Sequence, residues 1–162
     1  ALIKARYCAE KSKLISLSDD SGLEISTLNG DPGIYSARWA GYEGSDSGDR
    51  DRMNIEKVLA QLKDVPVQNR GAQFKAVVAF YKPTADGLAI EKEELGVMPG
   101  EIVLAPLGDG GFGYDSLFIP ADGDGRTFAE MTGPEKDAVS HRGRALDQIP
   151  ELLARIFGLP TP

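Results

Sequence analysis

The stretch SDDSGLEI, residues 18–25, sets the reading of the chain. Two adjacent carboxylates, Asp19 and Asp20, follow the alternating run Leu14-Ile15-Ser16-Leu17 and precede a second one, Leu23-Glu24-Ile25. Alternation is the strand signal, and Ser21-Gly22 between the runs is a turn signal. The expectation is therefore two strands, about 14–18 and 22–27, with both aspartates at a strand end. Like charges side by side repel, and burying either costs free energy. Two exposed turn aspartates would be the plain explanation, since Asp favours turns. The other explanation divides the work. Successive strand positions face opposite sides, so one carboxylate could hold a hard cation or act as general base while its neighbour makes structural hydrogen bonds.

Working outward, residues 1–12 read as a helix end, rich in alanine and without Gly or Pro. LNGDPG, 28–33, is a strong turn. The segment 45–64 is the clearest helix: Ile55, Val58, Leu59 and Leu62 fall on one face, with Ser47 or Asp49 as cap. GAQFKAVVAFYKP, 71–83, alternates Phe74, Ala76, Val78 and Phe80 as a long strand does. Two further strands are expected at about 87–96 and 101–104, and a short one within 112–120. Thr132 and Glu135 have capping-box spacing, with Pro134 in the first turn. A last helix, about 150–157, should bury Leu152, Leu153, Ile156 and Phe157 and stop at Gly158, with Pro150 separating it from the helix before. There is no internal repeat or linker, and 162 residues suit one core. A single mixed α/β domain is the expectation.

Composition narrows the function. A hydrophobic fraction of 41% and a charged fraction of 27% exclude wholesale disorder. No apolar run approaches the roughly 20 residues of a membrane span. The net charge of −7 argues against broad nucleic-acid binding, which needs basic surface. The single cysteine, Cys8, can form neither an internal disulfide nor a cysteine metal site, which favours a reducing, cytoplasmic setting.

Several motifs compete. Gly108, Gly110 and Gly113 match G-x-G-x-x-G, but the chain runs on as the extended-looking Tyr114–Pro120 where a dinucleotide fold needs a helix. A hairpin loop, or a loop bringing Phe112 to a flat ligand, remains. ADGDGRTFAE, 121–130, lacks the glycine and glutamate of a calcium loop. A serine hydrolase fails because Ser140 and His141 are sequence neighbours and Ser21 lacks the nucleophile elbow. KDAVSHRGR, 136–144, gathers Lys136, His141 and Arg142, with Lys136 and Ser140 expected on one helical face. The cluster reads either as a solvated helix face or as a clamp for an oxygen-bearing base, since Arg and Lys only donate hydrogen bonds.

DDSGLEI, then GDPGIYSARWAG (30–41), GGFGYD (110–115) and EKDAVSHRGRAL (135–146) occur in this order. Together they make the chain resemble the inosine triphosphate pyrophosphatase family, from Ala1 to the C-terminus. The resemblance implies a mixed α/β fold, with an elongated central sheet flanked by helices and two lobes around an active-site cleft. It implies a homodimer, Mg²⁺, and hydrolysis of ITP, dITP or XTP to the monophosphate and pyrophosphate, with no nucleic-acid or membrane partner. Asp20 matches the metal-binding and base aspartate, and Ser21 its substrate-contacting neighbour. Phe112, Gly113, Tyr114 and Asp115 match the base-pocket segment, and Lys136, His141 and Arg142 the residues that grip the nucleotide and read its base. Ser116 stands where the family usually has proline. The family's opening strand, phosphate loop and metal-binding glutamate have no counterpart in these residues, so an amino-terminally incomplete family domain is expected. A catalytically inactive nucleotide-binding or scaffold protein is the alternative, and a preference for modified pyrimidines a weaker one.

Overall fold

In a computed structural model, described for residues 1–84 and 88–160, the chain is mixed α/β as expected. The order is α1 (Leu2–Ser12), β1 (Ser16–Ile25), α2 (Ser47–Gln61), β2 (Gly71–Pro83), β3 (Ala89–Ile102), β4 (Phe118–Pro120), α3 (Gly133–Val139), α4 (His141–Leu146) and α5 (Ile149–Phe157). The four strands form one sheet in the order β1-β2-β3-β4. The β3–β4 pair is antiparallel, with Gly100 opposite Pro120 and Ile102 opposite Phe118. No helix among the described residues is long and apolar enough to cross a membrane.

The sequence misplaces the strand breaks. β1 is one strand through Asp19, Asp20, Ser21 and Gly22, so the aspartates sit in mid-strand and Ser21-Gly22 is no turn. Gly22 serves a different need. A Cβ there would lie 2.5 Å from the Gly33 carbonyl oxygen, so only glycine admits this backbone approach. Leu23 N–H donates to Ser36 Oγ at 2.9 Å beside it. β3 is likewise one strand where two were expected, and it runs unbroken through Gly96, Pro99 and Gly100.

The chain forms two compact units. One comprises Ala1–Ser21, Ala76–Val97 and His141–Pro162, the other Gly22–Lys75 and Met98–Ser140. In the first, β2 is covered on both faces. Ala76, Val78 and Phe80 pack with Ala145, Ile149 and Leu152 of α4 and α5, while Ala79 and Tyr81 pack with Ala5 and Ala9 of α1. Gly158 ends α5 in the left-handed conformation, as its position suggested. Phe157 departs from expectation: its ring is exposed, with Lys82 Nζ 4.6 Å from its centre.

The second unit holds the larger core. Leu23 and Ile25 of β1, Val58 of α2 and Leu62 beyond it, and Phe74 of β2 meet Met98, Ile102, Leu117, Phe118 and Phe128. Three rings interlock: Phe74 to Phe118 at 4.8 Å edge-on, Phe118 to Phe128 at 5.2 Å, and Phe74 to Phe128 at 6.0 Å. Asp46 caps α2, where Ser47 or Asp49 was expected, by accepting from Asp49 N–H at 2.8 Å. Two buried polar side chains tie elements together. Arg70 donates to the carbonyls of Leu62, Val65 and Val103, and Asn54 bridges Ser36 and Ala40. Phe118→Ala removes the middle ring of the aromatic cluster and is expected to cost about 3–5 kcal/mol of stability. Urea unfolding measures this, and a loss under about 1 kcal/mol would mean the cluster is not close-packed.

Candidate active site

The chemistry-bearing residues fall into two clusters, one in each unit. The first lies on β1, α1 and α4. Strand alternation sends Asp19 and Ser21 to one side and Asp20 to the other. Arg142 Nε donates to Asp19 Oδ2 at 2.7 Å, and its Nη2 donates to Ser21 Oγ at 3.3 Å. Asp20 Oδ1 instead accepts from Lys4 Nζ of α1 at 2.6 Å, an ion pair more than half exposed on both sides. Such an exposed pair contributes about 0–1 kcal/mol, so a stronger cation can replace it.

Lys136 and Ser140 do not share a helical face. α3 ends at Val139, Ser140 is extended at φ −76° and ψ 157°, and α4 starts afresh at His141. His141 is buried. A Cβ on Gly96 would stand 1.9 Å from the His141 carbonyl oxygen, so α4 begins directly on the backbone of β3. Arg144 of α4 adds a bond to the Val97 carbonyl at 3.0 Å.

The second cluster centres on the loop 108–115, whose end winds into a short 3-10 turn, Asp115–Leu117, where extended chain was expected. Asp115 is buried; its Oδ2 accepts Phe112 N–H at 2.8 Å and Lys136 Nζ at 2.5 Å. Lys136 Nζ also lies 4.8 Å from the Phe112 ring centre and 5.5 Å from that of Phe128. Phe112 itself is 62% exposed, a flat face turned to solvent. Gly113 N–H donates to Asp51 Oδ2 of α2 at 2.7 Å. Tyr114 is buried, and its hydroxyl donates to the Ser36 carbonyl at 2.8 Å. Burial first, then the charge of Asp51, pushes that phenol well above its usual range. A concavity of about 730 Å³ opens beside the loop, lined by Asp51, Arg52, Ile55, Phe112 and Gly113 among others.

Lys4 and Asp51 escaped the sequence reading. Lys4 looked like one more charge on an unremarkable helix. Asp51 lies within 49–54, where five of six residues are charged or polar, with no motif to single it out.

α3 presents Lys136 and is only seven residues long, so its cap matters. The expected capping box forms: Glu135 Oε2 accepts from Thr132 N–H and from its hydroxyl, both at 2.7 Å. Arg126 donates to Glu135 as well, at 2.8 Å. That bond, followed by those from Thr132, pulls the Glu135 carboxyl down to about 2.

With that geometry in view, similarity becomes informative. Residues 1–152 match the model of the Ham1 family. The chain belongs to the Ham1 family. A dITP/XTP pyrophosphatase of Corynebacterium diphtheriae is 48% identical over 158 residues, covering 95% of this chain and 72% of that protein. One from Mycolicibacterium paratuberculosis is 47% identical over 161 residues, covering 98% and 74%. The chain thus spans about three quarters of these relatives. A solved HAM1 protein from Coxiella burnetii superposes with a TM-score of 0.80 at 39% identity, covering 94% of this chain and 74% of that one. A nucleoside-triphosphatase (dITP/XTP pyrophosphatase) of Mycobacterium abscessus gives 0.71 at 46% identity, covering 92% and 73%. The family resemblance and its mixed α/β fold are therefore as the sequence led us to expect.

Because the folded pKa of Glu135 lies below its unfolded value, its contribution to stability is complete above pH 4.5 and fades as pH falls toward 2. The melting-temperature gap between the unmodified chain and Glu135→Gln should therefore be widest near neutral pH and close on acidification. A gap independent of pH would refute the assignment.

Proposed function

We propose that this chain hydrolyses non-standard purine nucleoside triphosphates, namely ITP, dITP and XTP, to the monophosphate and pyrophosphate. The observation that carries the reading is the 48% identity, across 95% of the chain, to a dITP/XTP pyrophosphatase. Two features of the molecule support it: an exposed carboxylate in a solvent-screened ion pair with Lys4, and an exposed aromatic residue with an ammonium group beside it.

Mg²⁺ is the cation we assign. It commonly takes one or two carboxylates and completes its shell with water and substrate phosphate oxygens. Asp20 fits that pattern as an accessible hard donor. Among the described residues no group of three or more His, Cys, Asp or Glu side chains is poised for a metal, and Asp20 is the side chain that would hold the ion. When bound, Mg²⁺ would screen the triphosphate and acidify nearby water. Asp20 then orients the attacking water and accepts its proton. Lys4, released from Asp20, is a cationic partner for phosphate oxygens.

Phe112 stacks on the base, and Lys136 donates beside it. Gly113, Tyr114 and Asp115 shape and hold that loop. Ser21, His141 and Arg142 supply further donors to the nucleotide, with Arg142 already oriented by Asp19. Hypoxanthine and xanthine carry a 6-oxo acceptor for such donors. Adenine presents a 6-amino group there, which leaves donors opposed, and sites built on hydrogen bonds reject such mismatches strongly. The exposed Cys8 suits a reducing compartment, and we place the reaction in the cytoplasm. We assign a homodimer to the turn Gly33–Arg38, where Ile34 and Tyr35 are exposed. Ile34→Asp should shift a dimer toward monomer in sedimentation; an unchanged mass would place the contact elsewhere.

Incubation with Mg²⁺ and ITP should release pyrophosphate, with far less from ATP and GTP. Nucleotide binding without release would instead mark a catalytically inactive binder. Asp20→Asn should lower turnover by about 100-fold or more and leave the circular dichroism spectrum unchanged. Near-normal turnover would remove Asp20 from the chemistry.

A further inference from the structure

We propose that Asp51 of α2 is a positioning residue for the base, setting the direction of the Phe112 ring and hence the preference among purines. The proposal rests on the reading of Phe112 as the stacking face.

The argument starts from an imbalance. The Phe112 ring is 62% exposed, so apolar packing does little to fix where it points. The backbone that carries it therefore contributes to its direction, together with Lys136 Nζ 4.8 Å from the ring centre. Two successive amides of that backbone are anchored by carboxylates. Phe112 N–H donates to Asp115 Oδ2 at 2.8 Å, and Gly113 N–H donates to Asp51 Oδ2 at 2.7 Å. The first anchor is local, three residues along the chain. The second reaches 62 residues away, to a helix seated in the core of the same unit. Of these two amide anchors, the second is the one whose carboxylate lies outside the loop, on α2.

Gly113 takes φ +62°, a left-handed conformation that is cheap for glycine but does not hold itself in place. A charge-assisted bond to its amide selects that state. Asp51 is in turn fixed. Its side chain is 18% exposed, and Arg50 donates to Oδ1 through Nε at 3.1 Å and Nη2 at 3.0 Å. One oxygen is thus held by Arg50 and the other is given to Gly113. The chain Arg50–Asp51–Gly113–Phe112 thus fixes the backbone from which the ring projects.

A positioning role predicts coupling. Asp51→Ala should weaken ITP binding about tenfold and reduce the preference for ITP over ATP. In a Phe112→Ala background the same substitution should change binding little, because the ring it positions is gone. Two independent structural losses would instead add. Asp51→Asn retains an acceptor for Gly113 N–H and should restore most of the preference. Affinities for ITP and ATP are measured calorimetrically on the full 162-residue chain in EDTA, so the readout does not depend on turnover.

Phe112→Ala reports on the underlying reading. If it leaves ITP affinity unchanged, Phe112 is not the stacking face, and both ideas fall. If Phe112→Ala weakens binding but Asp51→Ala does not, or if the two losses add, the positioning role alone is overturned. Should Asp51→Ala fail to fold, hydrogen exchange of the Gly113 amide in the unmodified chain decides. Slow exchange that Asp51→Asn preserves supports the anchor, and exchange as fast as in an unbonded glycine overturns it.

Discussion

The start of α4 depends on the missing side chain at Gly96. A single Cβ there would stand 1.9 Å from the His141 carbonyl oxygen and 2.6 Å from the Ala145 amide nitrogen. Neither obstacle is a flexible side-chain tip, so no rotamer change relieves the clash. The absence of that one carbon lets α4 lie on the backbone of β3. It fixes where His141 begins the helix, and Arg142 follows at a position from which it meets Asp19 and Ser21. Gly22 does the same in the other unit, admitting the Gly33 carbonyl so that Ser36 can cap Leu23. Close packing of backbone on backbone thus precedes, and positions, the polar chemistry.

That constraint also explains what the sequence concealed. Periodicity found β2 to the residue, and the capping box of α3 and the glycine stop of α5 are legible because each rests on a local chemical rule. Gly22 was read as part of a turn because glycine is a frequent punctuator, and Gly96 was placed at the end of an expected strand, 87–96, that in fact continues. Their real reason is tertiary: the partner backbones lie 11 and 45 residues away. A lone glycine in a strand pattern has two meanings, and only the neighbour distinguishes them. The break between α3 and α4 was missed for the converse reason. KDAVSHRGR contains no Gly or Pro before Gly143, yet Ser140 is extended and buried.

The candidate site was legible to a different degree. The motif residues divide between two local clusters that were each coherent once folded. Strand alternation correctly separated Asp19 from Asp20, and the pairing differs as the argument required: Asp19 with Arg142, Asp20 with Lys4. What could not be read was the supporting set. Lys4 and Asp51 belong to helices whose own sequences explain them as solvated charge. Only the fold brings the first to β1 and the second to the loop 108–115.

An acidic chain that handles polyphosphate must keep its own carboxylates from repelling the substrate, and the partners of these aspartates address that problem. Asp19 is neutralised by Arg142, Asp115 by Lys136 and Asp51 by Arg50, each within 3.0 Å. The Asp115–Lys136 pair is the most buried of these, where desolvation is dearest and attraction strongest. Its second bond, to Phe112 N–H, turns an electrostatic necessity into a means of shaping a loop. Asp20 stands apart in being paired with a half-exposed lysine that solvent screens. Among these four carboxylates it has the most exposed ion-pair partner, which is what the metal-binding role proposed for it requires.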